Sequence, residues 1–288
     1  MSSDFKRLLW AISESMQENQ FDFTVLMSVY RNDDAAFFTR AVDSVYQNDL
    51  LPVEMVLVVD GPVDALLENA IIQVVERYRI NCYRLPHNSG LAAALNHGLR
   101  FVRTPWVARA DADDFNLPKR FSAQIKRAQQ GFDLVGSYIQ EMNASGEPLK
   151  MRKVPCEHDA IVAFAARRNP FNHMSVMFRT ELAKECGGYP LLHLREDYGL
   201  WALMISMGAK LSNIDQVLVL ATAGDGMVSR RRGLHSALAE VDLQKHLRQC
   251  GLKGTFAATL DILIRGGLLL LPAPLLSVVY NNFLRRNK

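Results

Sequence analysis

The chain has 288 residues, of which 49% are hydrophobic and 22% charged, and its formal net charge is +3. That length and apolar content support a large buried core and exclude a disordered chain, while so small a charge gives no footing for dedicated nucleic-acid binding. The four cysteines, Cys82, Cys156, Cys186 and Cys250, lie far apart without metal-type spacing and read as reduced cytoplasmic thiols. No apolar run is long enough for a signal peptide or a membrane span, so a cytoplasmic protein is expected.

Phe5, Leu8, Leu9, Ile12 and Met16 fall at helical spacing and predict an N-terminal amphipathic helix within residues 1–20. Phe23 to Tyr30 is a β-type run, and the polar Arg31-Asn-Asp-Asp after it offers a cap to a helix around residues 37–45. Val53 to Val59 is almost continuously apolar, as in a strand buried on both faces of a parallel sheet, and it stops at Asp60-Gly-Pro. A helix to about residue 78, a short strand at 80–85, a helix at 90–102 and a strand at 105–110 follow. This alternation predicts an α/β doubly wound domain, whose ligands bind at the carboxyl ends of the strands. Tyr30, Asp60 and Asp111 to Asp113 occupy such ends and should converge on one crevice.

Beyond the helix opened by Pro118-Lys-Arg-Phe, strands are expected at 132–139 and 148–154, and a helix near 157–168. Asn169 to Arg179 reads as a strand with a polar start, Arg195-Glu-Asp-Tyr as the start of a helix to about Met207, and Leu211 to Leu220 as the last strand. From residue 234 the composition changes to two helices and then a proline-broken apolar stretch ending in Arg285-Arg-Asn-Lys.

Asp111, Asp113 and Asp114 put three carboxylates within four positions. In an extended segment Asp111 and Asp113 share a face and Asp114 points the other way. Adjacent carboxylates repel, and a hard divalent cation, typically held by one or two carboxylates plus substrate phosphates, removes the conflict. An acidic loop capping the next helix is the plain alternative.

The ordered set Ser28-Val-Tyr, Val58-Val-Asp-Gly-Pro, Asn88-Ser-Gly-Leu, Ala110-Asp-Ala-Asp-Asp, His173-Met-Ser-Val-Met-Phe-Arg, Gly187-Gly-Tyr and Glu196-Asp-Tyr-Gly-Leu-Trp resembles the family 2 glycosyltransferases. Bacterial exopolysaccharide and O-antigen enzymes of the amylovoran type are the nearest likeness. The resemblance implies a GT-A, Rossmann-like α/β/α sandwich with a mostly parallel mixed sheet over residues 21–232, and a C-terminal helical appendage over 233–288. It implies an inverting transferase that moves a sugar from a nucleotide-sugar, a UDP-sugar by expectation, to an undecaprenyl-diphosphate-linked saccharide. By the same resemblance Asp60 reads the base with Tyr30 beside it, Asp113 and Asp111 hold Mn²⁺ or Mg²⁺, and Asp197 is the catalytic base with Glu196 as second choice. His173 would lie in the acceptor pocket, and Arg230 and Arg231 on a loop closing over the diphosphate.

The residue types fit that chemistry. A bound metal stabilises charge developing on a leaving diphosphate, and a carboxylate on the opposite face takes the acceptor's proton. Each position also has a plain structural reading. Asp60-Gly can be a turn, Glu196 and Asp197 first-turn helix charges, His173 a hydrogen-bonded core histidine, and Arg230 to Arg232 a solvated run. Two departures weaken the phosphate contacts: Ala94-Leu-Asn replaces the family's Ala-Arg-Asn, and Ala221-Thr222 replaces its Tyr-Arg. A sugar nucleotidyltransferase and a non-catalytic nucleotide-sugar-binding protein are the competing functions, and Arg31-Asn-Asp-Asp in place of a Gly-rich phosphate loop counts against the first. Leucines 268–271 and Leu275 to Tyr280, flanked by basic residues, suit a membrane interface, so a peripheral position on the inner face of the plasma membrane is expected. Packing as core or as a dimer contact is the alternative for that segment.

Overall fold

The computed structural model describes residues 20–143, 145–223 and 233–269. The expected N-terminal helix, the Arg230–Arg231 loop and the apolar tail beyond residue 269 lie outside the described residues. Among the described residues nine strands form one sheet, in the order β3 (Asn81–Leu85), β2 (Glu54–Asp60), β1 (Phe23–Tyr30), β4 (Trp106–Arg109), β8 (Met177–Arg179), β6 (Leu134–Met142), β9 (Leu211–Thr222) and β5 (Phe115–Asn116), with β7 (Pro148–Arg152) added on β6.

Strands β1 (Phe23–Tyr30), β2 (Glu54–Asp60), β3 (Asn81–Leu85) and β4 (Trp106–Arg109) make the parallel half. Both faces of this half are covered, which explains the unbroken apolar runs. Val25, Met27, Val29, Met55, Leu57 and Val59 join a core on one face, and Leu26, Val56 and Val58 join a second core on the other. Helices α1 (Ala35–Tyr46) and α2 (Ala65–Tyr78) contribute Phe38, Val42, Ile71 and Val74 to the first core. Helix α3 (Leu91–Leu99) supplies Ala94, Leu95 and Leu99 to the second. Asp34 accepts from Ala36 N and Phe37 N at 2.8 and 3.0 Å, which is the expected cap of α1.

The other half is mixed. β8 (Met177–Arg179) runs antiparallel between β4 and β6 (Leu134–Met142), and β9 (Leu211–Thr222) runs parallel to β6. β5 (Phe115–Asn116) pairs with β9, and β7 (Pro148–Arg152) is an edge strand. Helices α4 (Arg120–Ala128), α5 (His158–Ala165), α6 (Thr180–Glu185) and α7 (Glu196–Ser206) complete the layers, so the fold is α/β with helices on both faces. Sequence periodicity missed β5 and α6, which are too short to show a period. It also drew the strand at 169–179 too long. His173–Ser175 is a 3₁₀ turn, in which Ser175 N and Ser175 Oγ both bond Asn172 O, and only Met177–Arg179 is strand.

After α8 (Leu234–Gln249) and α9 (Thr255–Asp261), a π turn spans Ile262–Gly266. α8 is not detached from the sheet domain. Leu243 and Leu247 pack on Tyr198 and Ala202 of α7, and the His246 ring bonds Gly199 O at 3.0 Å. Among the described residues no helix is long and apolar enough to cross a membrane.

Candidate functional site

Two cavities open at the strand ends. The first, about 280 Å³, is lined by Tyr30, Asp33, Asp60, Arg109, Asp111 and Asp113 among others. Parallel register puts Tyr30 level with Asp60, and Arg109 pairs one strand over with Leu26 of β1. The expected convergence of Tyr30, Asp60, Asp111 and Asp113 is therefore observed. Asp60 is 3% exposed, and its carboxylate accepts from Ser89 N at 2.7 Å and Gly90 N at 2.9 Å. It caps α3 from a neighbouring strand, in the place where a helix dipole favours a carboxylate. Gly61 allows this approach: its φ is +86°, and a Cβ there would lie 2.5 Å from Asn88 N. Asn88 Nδ2 donates to Asp60 O at 3.3 Å, and Asn96 bridges Tyr189 through both its amide atoms at 2.7 and 2.8 Å. Both asparagines tie backbone together.

The aspartates differ from the extended reading. A turn at residues 112–113 ends the alternation, and carboxylate oxygens of Asp111, Asp113 and Asp114 lie within 4.8 Å of one another. Asp114 does not point away. It is 3% exposed, Oδ1 accepts from Thr222 N at 2.8 Å, and Oδ2 has no hydrogen-bond partner among the described residues. Burial, then the charges of Asp111 and Asp113, pushes its carboxyl well above the ordinary range. Burial and Asp111 likewise lift Asp113 to about 6. Thr222 Oγ1 donates to Asp113 O at 2.5 Å, so the position that replaces the family's Tyr-Arg here anchors the aspartate turn.

Two residues of this cavity escaped the sequence reading. Asp33 accepts from Tyr30 N at 2.9 Å, and burial, with Asp113 and Asp111 nearby, lifts it to about 7. Arg109 is 1% exposed and ion-pairs with Asp111, while its Nε has no partner among the described residues. Its own carbonyl is held by the buried Arg120 Nη2 at 2.5 Å. Burial, then the Arg109 charge, lowers Arg120 to about 9. In the sequence Arg109 is one more residue of the strand, and only its burial in the fold marks it out.

The second cavity, about 390 Å³, is lined by His173, Glu196, Asp197, Asn169 and Leu243 together with four arginines. Glu196 and Asp197 open α7. Asp197 Oδ2 accepts from Asn169 Nδ2 at 2.6 Å and Oδ1 from Tyr198 N at 2.7 Å. Burial, then the Asp197 charge, holds the Glu196 carboxyl up at about 7. His173 Nε2 meets Tyr189 Oη at 3.2 Å, and its ring lies in an aromatic cluster with Trp201. Burial, then Arg109, keeps the imidazole well below its usual range and so neutral. Arg109 acts electrostatically on both cavities, because its charge also favours ionisation of Asp33, Asp113 and Glu196. Asn169 had no local signal beyond the polar start of its segment.

The doubly covered α/β sheet thus carries a carboxylate triad at its strand ends and a second carboxylate pair in the other cavity. The chain belongs to Glycosyl transferase family 2, whose model matches residues 24–184. It is 32% identical over 275 residues to the Escherichia coli UDP-Gal:alpha-D-GlcNAc-diphosphoundecaprenol beta-1,3-galactosyltransferase, covering 94% of this chain and 99% of that one. It is 33% identical over 260 residues to the amylovoran biosynthesis glycosyltransferase AmsE of Erwinia amylovora, covering 90% and 97%. Among solved structures, S. aureus TarS 1-349 in complex with UDP-GlcNAc superposes with a TM-score of 0.62 at 19% identity, covering 91% of this chain and 73% of that one. The chain is thus a transferase of the GT-A fold, and the amylovoran-type resemblance holds.

Proposed function

We propose that the protein is an inverting, metal-dependent glycosyltransferase that moves a sugar from a UDP-sugar to a lipid-diphosphate-linked saccharide in bacterial surface polysaccharide synthesis. The observation that carries this reading is the division of carboxylates between two cavities. One is lined by Asp111 and Asp113, with the buried Asp114 carboxylate within 4.8 Å of theirs, and the other by the Glu196–Asp197 pair. The E. coli relative's named donor and acceptor, and the UDP-GlcNAc bound to TarS, support the choice of substrates.

The aspartate cluster fits a divalent cation. Three carboxylates lie close together, Asp114 buried and Asp111 and Asp113 half-buried, and the orphaned Asp114 Oδ2 offers one more oxygen. In this reading Asp113 and Asp111 hold Mn²⁺ or Mg²⁺, which when bound stabilises negative charge on a leaving diphosphate. Asp60 keeps lone pairs beyond the two amides it caps and reads the uracil N–H, with the Tyr30 ring alongside. Asp197 accepts the proton of the acceptor hydroxyl as that oxygen bonds to the anomeric carbon. The bond from that carbon to the diphosphate breaks, and UDP leaves with the electron pair. One displacement inverts the anomeric centre, whereas retention by double displacement would need a nucleophile on the opposite side. His173, neutral and anchored to Tyr189, shapes the acceptor side. Arg230 and Arg231 are proposed to close over the diphosphate, and residues 266–288 to hold the protein at the inner membrane face. A donor screen for nucleoside diphosphate release with and without Mn²⁺ tests the proposal. Release of UDP from UDP-sugars that needs the ion is expected; no UDP release, with pyrophosphate formed instead from sugar 1-phosphates plus UTP, would favour a nucleotidyltransferase.

A further inference from the structure

Four arginines, Arg152, Arg168, Arg195 and Arg265, line the cavity that holds Glu196 and Asp197. They are not equivalent. The Glu240 carboxylate, 5% exposed, stands between Arg195 and Arg265 at 4.0 and 3.9 Å, and Arg265 also meets Asp261 at 3.6 Å. Those two guanidinium groups are balanced inside the protein. Arg152, on the edge strand β7, reaches Glu141 at 3.7 Å with its side chain 46% exposed. Such a pair contributes little in water. Arg168 lies exposed on the rim and has no ion-pair partner among the described residues. A neutral hydroxyl acceptor has use for the carboxylates but not for these two arginines. Two weakly compensated forks on one cavity match the oxygens of a phosphate or diphosphate.

The neighbouring surface indicates what the anion is attached to. Arg265 Nη2 donates to Arg167 O at 2.7 Å, fixing the Ile262–Gly266 turn against the residue before Arg168. The same run exposes Phe256, Leu260, Leu263 and Ile264 by 83, 44, 68 and 51%. Their spacing is that of one helical stripe, and a contiguous apolar stripe marks a contact surface more than scattered leucines do. We infer that Arg152 and Arg168 bind the diphosphate of a lipid-linked acceptor, whose sugar reaches toward Asp197 and whose hydrocarbon lies along the Phe256–Ile264 stripe. The inference rests on the reading of the Asp197 cavity as the acceptor side.

The test uses the full chain in saturating UDP, which occupies the first cavity, with three probes: farnesyl diphosphate, inorganic pyrophosphate and farnesol. Farnesyl diphosphate is expected to bind more tightly than either fragment. The double change Arg152→Ala with Arg168→Ala should weaken it about tenfold to a hundredfold, the worth of one or two charge-assisted contacts, and leave farnesol unaffected. Lysine at both positions should restore part of the loss. Unchanged farnesyl diphosphate binding in the double variant, or an equal loss for farnesol, overturns the arginine assignment. Pyrophosphate binding as tightly as farnesyl diphosphate overturns the lipid-linked part. UDP affinity measured on the same samples reports folding of the variants. Its absence in the unmodified chain would fault the donor reading, while the farnesyl diphosphate comparison still decides the arginines.

Discussion

Asp113 and Asp197 sit in different cavities, so their substitutions should separate. Asp113→Ala removes a proposed metal ligand on a turn that Thr222 holds through the backbone. It is expected to abolish transfer and the Mn²⁺ dependence of UDP binding without unfolding, as calorimetry and activity on one preparation would reveal. At Asp197 the informative neighbour is Asn169, whose amide holds Oδ2 at 2.6 Å. Losing a hydrogen bond to a charged group costs about 1.5–3 kcal/mol, so Asn169→Ala should lower kcat roughly tenfold to a hundredfold while UDP affinity stays constant. A change in UDP affinity would mean that Asn169 does not act through the base. Asp111 and Asp113 were readable from the sequence because their motif is local. The burial of Asp114 was not, since it depends on a turn and on Thr222, 108 residues away. Arg109, though part of the same run, reads as an unremarkable strand residue until burial in the fold is known.

At the scale of elements, the approach of β2 to the start of α3 sets the first cavity. Gly61→Ala would bring a Cβ to 2.5 Å from Asn88 N and 2.9 Å from His87 C at a φ of +86°, where the neighbours are backbone. Gly131 has a φ of +89° and nothing within 4 Å, so Gly131→Ala isolates the conformational cost alone. Strain of this kind is worth about 1–3 kcal/mol. Gly61→Ala should exceed the Gly131→Ala loss in thermal stability and also weaken UDP, whereas Gly131→Ala should leave UDP binding intact. Equal effects of the two would remove the close approach from the explanation. The parallel half of the sheet was legible because its strands are long and buried on both faces. The mixed half was less so, because β5 spans two residues and β8 three, too few for periodicity to register.

For the whole molecule, burial leaves several carboxyls less acidic than in an unfolded chain. Asp33 and Glu196 stand at about 7 and Asp113 at about 6, against ordinary values of 3.8 and 4.5. Between pH 4 and 7 the folded protein keeps protons that the unfolded chain has released, so these groups' contribution to stability falls as pH rises through that window. A divalent cation competes with protons at the triad. Mn²⁺ should therefore raise the melting temperature at pH 7.5 and do little at pH 5, and Asp113→Ala should flatten that difference. Melting curves at the two pH values check it. Glu196→Gln should remove an inflection near pH 7 from the rate profile, leaving the Mn²⁺ effect on stability unchanged.

The division of labour between the two cavities is tested most directly by measuring UDP affinity and sugar transfer side by side in the unmodified chain, Asp113→Ala and Asp197→Asn, each with Mn²⁺. A base that cannot accept a proton should lower kcat by roughly a hundredfold or more. The expected result is that Asp113→Ala loses both metal-enhanced UDP binding and transfer, while Asp197→Asn binds UDP normally and loses transfer. Transfer retained in Asp197→Asn, or metal-enhanced UDP binding retained in folded Asp113→Ala, would contradict it.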